Sequence, residues 1–247
     1  MENMRIGILG YGEVGQGIAK VYADFGGKYD VKIKSLDRDD GFEGIEVLDV
    51  CIPFIPDFVE VVSEEIKKHK PSLTIIHSTV APGTTKKIAE ESGEKAIVHS
   101  PIRGVHPYLY EGIKTMVKML GADDENLKEL AKEHLEALGL KVKALNKSVT
   151  TELGKLLDTT YYGVVIAWHG EMKKLCDSHG IDFEEAVSEF NKTYNEGYIS
   201  LGKSNVVRPV LYPPVENKIG GHCVISNAEI LKKDWYSKAL DLLLDYK

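Results

Sequence analysis

The chain has 247 residues, 43% hydrophobic and 28% charged, with 23 Gly and 9 Pro. That composition excludes disorder, collagen-like repeats and low complexity, and the length suits one or two domains. With 31 Lys and Arg against 38 Asp and Glu the net charge is −7, which argues against broad nucleic-acid binding, because neutralising phosphates takes a concentrated basic face. Short β-branched runs then alternate with helical patterns. Strands are expected over 5–10, 30–36, 46–52, 73–78, 96–99, 115–120 and 141–145, and helices over 13–25, 57–68, 84–91 and 124–138. Apolar strands that are continuous rather than alternating predict a mostly parallel sheet covered on both faces, an α/β fold of the Rossmann-type doubly wound kind.

After Asn146 the pattern changes, which predicts a division into 1–146 and 147–247. One proline-free helix is expected over 150–178, with Leu153, Leu156, Leu157, Val164, Trp168, Met172 and Leu175 at helical spacing. A second helix is expected over 183–195, then an irregular stretch over 202–223 that carries Pro209, Pro213, Pro214, Gly220 and Gly221. Ser226-Asn227-Ala228-Glu229 has capping-box spacing and announces a final helix. Tyr161, Tyr162 and Trp168 read as core or as a dimer face.

Cys51, Cys176 and Cys223 are too few and too scattered for a disulfide framework, and no Cys-x-x-Cys pair suggests a metal. No apolar run approaches the ~20 residues of a membrane span, and the first residues, Met1 to Arg5, carry no signal-peptide pattern. The expected setting is cytoplasmic and reducing, where a free cysteine is buried or catalytic rather than bridged. His77, His99, His106 and His222 share no ligand spacing with Cys223, so no metal is expected.

Ile6 to Gly15 reads as a strand running into Gly-x-Gly-x-x-Gly and a helix. Gly10 permits the turn, Gly12 lets a pyrophosphate approach the backbone, and Gly15 allows close helix–strand packing. The helix N-terminus favours the anion. The expected cofactor contacts are Gly10, Tyr11, Gly12, Glu13, Val14 and Gly15, with Pro53, Ser78 and Thr79 at the ends of later strands. Asp37, 22 residues after Gly15, can accept the ribose hydroxyls and repel a 2′-phosphate, so NAD is expected over NADP. Its neighbour Arg38 could instead tolerate that phosphate or stack on adenine. The other reading of the glycines is a purely structural turn.

Three further runs stand out: Ser78-Thr79-Val80-Ala81-Pro82-Gly83-Thr84-Thr85, Glu152-Leu153-Gly154-Lys155 and Gly220-Gly221-His222-Cys223. With Cys176 through Gly180-Ile181-Asp182, and Met116–Leu120 followed by Gly121-Ala122-Asp123, they make the chain resemble the UDP-glucose/GDP-mannose dehydrogenase family, which oxidises a nucleotide-sugar alcohol with NAD. The resemblance implies that Cys223 is a nucleophile that traps an aldehyde as a thiohemiacetal. It likewise implies that Lys155 stabilises oxyanion charge, that Thr79 orders water or substrate, and that the long helix forms a homodimer. Without the resemblance, Cys223 would read as buried and inert and Lys155 as a solvated helix lysine. Arg103 and His106, with Gly221 and His222, are the expected substrate contacts, since Arg forks onto carboxylate or phosphate; the first two read equally as ordinary loop residues.

The chain also departs from the family pattern. Where the family has Ser-Pro-Glu it has Ser100-Pro101-Ile102; Thr159 replaces an asparagine, Asn227 an aspartate, and Gly170-Glu171 an Asn-Glu pair. Family members also continue into a C-terminal domain for which 247 residues leave no room. The expectation is an NAD-dependent oxidoreductase acting in one two-electron step on a small alcohol or aldehyde, with nucleotide sugars and sugar acids as candidate classes. Cys223 and Lys155 would stand at the reacting carbon. The alternatives are an NAD-binding protein without catalysis, sensing or partner-dependent, and a hydroxy-acid dehydrogenase that uses Lys155 alone.

Overall fold

The computed structural model describes residues 3–220 and 222–247. The chain folds as two compact units, Met1–Lys155 and Leu156–Lys247.

The first unit is built on one seven-stranded sheet. Its strands are β1 (Met4–Leu9), β2 (Tyr29–Lys34), β3 (Val47–Val50), β4 (Leu73–Ile76), β5 (Ile97–His99), β6 (Lys118–Gly121) and β7 (Val142–Leu145), in the spatial order β2-β1-β3-β4-β5-β6-β7. All neighbours are parallel except β5 and β6, which meet antiparallel at His99 and Gly121. The mostly parallel, doubly covered sheet is the one expected from the sequence. All four residues of β3 and of β4 are buried, because successive side chains enter different cores. Val47, Leu73 and Ile75 join Ile6, Ile8 and Leu120 under α1 (Glu13–Ala23) and α5 (Glu125–Ala137). Leu48, Val50 and Ile76 join Phe58, Val62 and Ile88 of α2 (Phe58–His69) and α3 (Thr84–Ser92) on the other face.

One expectation is corrected here. Residues 115–120 were expected as a strand, but Leu109–Thr115 form α4 and β6 starts at Lys118. Leu109 and Ile113 of α4 are buried against α1, where Gly17 leaves room for Ile113. A seven-residue helix interrupted by Gly112 offers too short a period to be read from sequence.

The long helix α6 runs Ser148–Ser178, and its opening turns belong to the first unit. In the second unit it is followed by a π-helical turn (Glu184–Ser188) that passes directly into α7 (Glu189–Ser200), five residues beyond the expected end. Then come 3-10 turns at Ser204–Val206 and Val215–Asn217, α8 (His222–Lys232) and α9 (Lys238–Leu244). The capping box at Ser226 is not formed. Ser226 lies inside α8, and its hydroxyl donates to the Cys223 carbonyl at 3.3 Å, the back-bonding open to a mid-helix serine. The unit's core is Leu156, Ala167, Ile219, Ala228, Leu231, Leu240, Leu243 and Tyr246. Tyr161, Tyr162 and Trp168 are not in it; they are 64%, 50% and 55% exposed.

Tyr246 explains one departure from the family pattern. A Cβ at Gly170 would sit 2.4 Å from the Tyr246 ring, so only glycine admits that ring against α6. The Tyr246 hydroxyl then donates to Glu171 at 2.6 Å, and its carbonyl accepts from the Ile219 amide at 2.8 Å.

Candidate dinucleotide and substrate site

In the first unit the sheet order reverses between β1 and β3, and ligands of open α/β sheets bind outside the carboxyl ends of the strands at such a switch point. The loop Gly10–Gly15 occupies this place. Gly10 has φ +96°, a left-handed conformation, and a Cβ there would meet the Ile52 amide nitrogen at 2.8 Å. A Cβ at Gly15 would come within 2.0 Å of the Gly10 carbonyl oxygen, so the helix can press on the turn only with glycine. Gly12 differs: it is exposed, with nothing within 4 Å of where a Cβ would be. It is the N-cap of α1 and has no side chain to cap the helix's first amides. Open space above uncapped amides is what a pyrophosphate requires.

Glu13, first residue of α1, meets His106 Nδ1 through its carboxylate, tying the loop after β5 to the glycine turn. Tyr11 and Val14 are half-buried. At the end of β2, Asp37 and Arg38 are both exposed, in a turn closed by the Ser35 amide donating to the Arg38 carbonyl at 2.7 Å. Arg38 forks onto Asp40 through Nε (2.9 Å) and Nη2 (2.7 Å), with its guanidinium 5.8 Å from the Tyr11 ring centre. Pro53 is exposed at the end of β3. Ser78 is buried and donates to the Ile52 carbonyl at 2.6 Å, joining the ends of β3 and β4; Thr79, next along, is half-buried.

The first turn of α6 is anchored beneath this edge by Glu152, which is fully buried. Its Oε2 accepts from the Gly83 amide (2.6 Å), and its Oε1 accepts from the Thr85 amide (2.8 Å) and hydroxyl (2.6 Å). Gly83 is the N-cap of α3 and has no side chain of its own, so Glu152 caps that helix from a distance of 69 residues. Burial pushes the Glu152 carboxyl above the ordinary glutamate range, against the downward pull of the Thr85 and Gly83 hydrogen bonds. Lys155 follows one turn later, half-buried, near enough for its charge to depress the protonation of His99 and Lys118. His99 itself is buried between Thr151 Oγ1 (2.8 Å) and the Ser78 carbonyl (3.0 Å), and burial brings it down to about 3. It is a neutral structural imidazole.

A buried polar cluster lies beside it that the sequence reading did not find. Asp49 of β3 accepts from Tyr22 (2.7 Å) and from His77 Nε2 (2.8 Å), while His77 Nδ1 lies 3.0 Å from Lys118 Nζ. Lys118 also donates to the carbonyls of Ser100 and, at 3.2 Å, Pro101. None of the four side-chain-bearing residues is more than 3% exposed. The available signal was an acid inside an otherwise apolar four-residue strand. Arg103 is half-buried and His106 exposed on the loop that follows, and Ile102 is buried.

In the second unit, Cys223 is exposed on the first turn of α8. Asn227, one turn on, is buried. Gly221 lies outside the described residues, as does the side chain of His222. Among the described residues no group of three or more His, Cys, Asp or Glu could hold a metal ion, and no helix is long and apolar enough to cross a membrane.

No family model matches the chain. It is 25% identical over 201 residues to the UDP-N-acetyl-D-mannosamine dehydrogenase of Methanococcus maripaludis, covering 78% of this chain and 41% of that protein. It is 31% identical over 156 residues to the enzyme of the same name from Methanocaldococcus jannaschii, covering 62% and 33%. The chain thus spans less than half the length of these curated relatives. Among solved structures, the UDP-D-ManNAc dehydrogenase of Pyrococcus horikoshii superposes with a TM-score of 0.76 at 20% identity, over 98% of this chain and 68% of that one. The 3-hydroxyisobutyrate dehydrogenase of Mycobacterium tuberculosis gives 0.70 at 15% identity, over 99% and 92%. These likenesses bear out the resemblance carried by the motifs: the chain is a relative of the UDP-sugar dehydrogenases that corresponds to part of their length.

Proposed function

We propose that the chain is an NAD-dependent oxidoreductase that moves hydride between the cofactor and a small alcohol or aldehyde of the sugar or sugar-acid class. The observation that carries this reading is the glycine turn. Gly10 and Gly15 are sterically obligatory, whereas Gly12 is open above uncapped helix amides at the switch point of the sheet. A purely structural turn has no use for the third glycine.

The residues present fit the cofactor. Gly12 and the first amides of α1 would hold the pyrophosphate, Asp37 the ribose hydroxyls, and Pro53 and Thr79 lie on the same edge. Arg38 is engaged by Asp40 and is not offered to a 2′-phosphate, which supports NAD over NADP. Bound NAD supplies the hydride acceptor or donor. Lys155, held in register by the Glu152 anchor one turn earlier, serves to stabilise oxyanion charge at the reacting carbon, and Cys223 serves as the nucleophile toward an aldehyde. Ile102 cannot accept a proton where the related pattern has a carboxylate, which favours a single two-electron step. Arg103 and His106 serve an anionic substrate group.

Tyr161, Tyr162, Trp168 and Leu175 on α6, and Phe190, Tyr194 and Ile199 on α7, are all at least half exposed, and exposed apolar side chains in such number are candidates for an interface. Pairing with a second copy is part of the proposal, and light scattering on the purified chain tests it.

The first experiment is a thermal-shift titration with NAD, with NADP, and with NAD plus nucleotide sugars, sugar acids and hydroxy acids. A ligand that binds only the native state raises the melting temperature as RT ln(1 + [L]/Kd). A saturable shift with NAD and a further shift with one substrate class support the reading. No shift with either dinucleotide sinks it. Turnover retained by Cys223→Ala but lost by Lys155→Met would move the chemistry to a lysine-only hydroxy-acid type.

A further inference from the structure

The cluster around Lys118 is built in a way the hydride-transfer reading does not use. Asp49 is an acceptor only, so its bond to His77 Nε2 requires the proton on that nitrogen. His77 Nδ1 is then a lone pair; it faces Lys118 Nζ at 3.0 Å and lies 3.1 Å from the Ser100 carbonyl, an acceptor that only Lys118 can then satisfy. The remaining Nζ contacts are two carbonyls, of Ser100 and Pro101. Three acceptors therefore surround Nζ, and only an ammonium with three N–H groups satisfies all of them. A neutral amine has two, and its lone pair must then face one acceptor at a site buried from solvent. Moving the histidine proton to Nδ1 only shifts the loss to Asp49.

We propose that Lys118 is the positioning residue of the substrate loop: its ammonium, oriented by Asp49 through His77, clamps the carbonyls at the root of the segment carrying Arg103 and His106, and loss of its proton leaves one of its three acceptors unmet and loosens that clamp. The groups facing it from the surrounding elements are Asp49 and Cys51 from β3, His77 after β4, His99 of β5 and Lys155 of α6, with Tyr22 of α1 and His134 of α5 behind Asp49. Asp49 favours the charge and Lys155 opposes it. Burial outweighs both and brings Lys118 down to about 7, so the clamp changes state near neutrality. An anionic ligand beside Lys155 would offset that lysine's field and favour the closed clamp, which couples substrate charge to loop order.

The loop's role in substrate binding rests on the proposed dehydrogenase function, but the clamp is measured without any ligand. The Ile102 amide donates to the His77 carbonyl at 3.2 Å and reports on the loop root. Hydrogen exchange at this amide, corrected for the intrinsic pH dependence, is expected to lose about tenfold in protection between about pH 6.5 and 8.5. In Lys118→Gln, whose amide donates but does not titrate, the profile is expected to be flat. In parallel, ¹³Cε-labelled lysine spectra of the wild-type chain should show one lysine titrating near neutrality; this readout stands even where the variant fails to fold. A pH-independent Ile102 amide, the same slope in Lys118→Gln, or no lysine titrating below pH ~9 overturns the clamp. A missing NAD shift overturns the dehydrogenase reading and leaves these results untouched.

Discussion

Replacing Glu152 by glutamine tests the anchor of α6 with almost no change in volume. The carboxylate accepts three hydrogen bonds, two on Oε1 and one on Oε2. Glutamine keeps one acceptor oxygen. If that oxygen faces Thr85, it keeps both of those bonds, and the NH₂ group then confronts the Gly83 amide, donor against donor. A buried backbone N–H without an acceptor costs about 1–3 kcal/mol, which for a chain of this size lowers the melting temperature by roughly 2–4 °C per kcal/mol. The sign of the pH dependence also follows. Burial raises the Glu152 carboxyl in the folded state, so its contribution is fully present below the unfolded value and is lost as pH rises through the folded one. Glutamine does not titrate, so its deficit is largest in acid and shrinks to a constant above the folded value. Far-UV circular dichroism melts measure this. The two tryptophans, Trp168 and Trp235, both lie in the second unit, so their fluorescence serves as an internal contrast. A melting temperature unchanged to within about 1 °C would refute the anchor, and a deficit that widens with rising pH would show that the hydrogen bonds outweigh burial and refute the upward shift.

The glycine turn separates stability from binding. Gly15→Ala, facing a carbonyl at 2.0 Å, should cost more than about 3 kcal/mol in a denaturant melt, whereas Gly12→Ala should leave the melt within about 0.5 kcal/mol and weaken NAD by at least about tenfold in calorimetry. Asp40→Ala frees the Arg38 fork and should raise NADP affinity relative to NAD several-fold; an unchanged ratio would show that Arg38 does not face the ribose. Gly170→Ala drives a methyl into the Tyr246 ring and should destabilise the second unit by about 2–3 kcal/mol, read by tryptophan fluorescence.

Much of the first unit was legible because its signals are local. The turn Gly10–Gly15 carries three glycines at fixed spacing, two of them sterically required and Gly12 open, and the spacing is visible in the residue types alone. Buried parallel strands announce themselves as apolar runs, and all seven expected strands overlap observed ones, the sixth being expected three residues too early. What stayed hidden depends on pairings distant in sequence. Glu152 looks like any acid on a helix until the Gly83 N-cap, 69 residues earlier, is seen to lack a side chain. Ser226 shows the converse, a local signature overridden when the chain entered its helix four residues sooner. α4 was not foreseen because a short helix packed on Gly17 of α1 is specified by its partner and not by its own period.

The departures from the dehydrogenase pattern are matched by local replacements. At Gly170 the side chain is given up to a ring from the chain's last turn, and Tyr246 restores a hydrogen bond to Glu171. At Ile102 an apolar residue is buried where the pattern has an acid, and the adjoining carbonyls are taken by Lys118. A carboxylate at 102, next in the chain to the clamped carbonyls of Ser100 and Pro101, would compete with them for the ammonium, since an ionised acceptor adds a second charge to the bond. Ile102 therefore keeps Lys118 on the backbone. On this argument Ile102→Glu should raise the Lys118 titration above neutrality and abolish the pH dependence of the Ile102 position's exchange, without the variant gaining a solvent-facing acid/base.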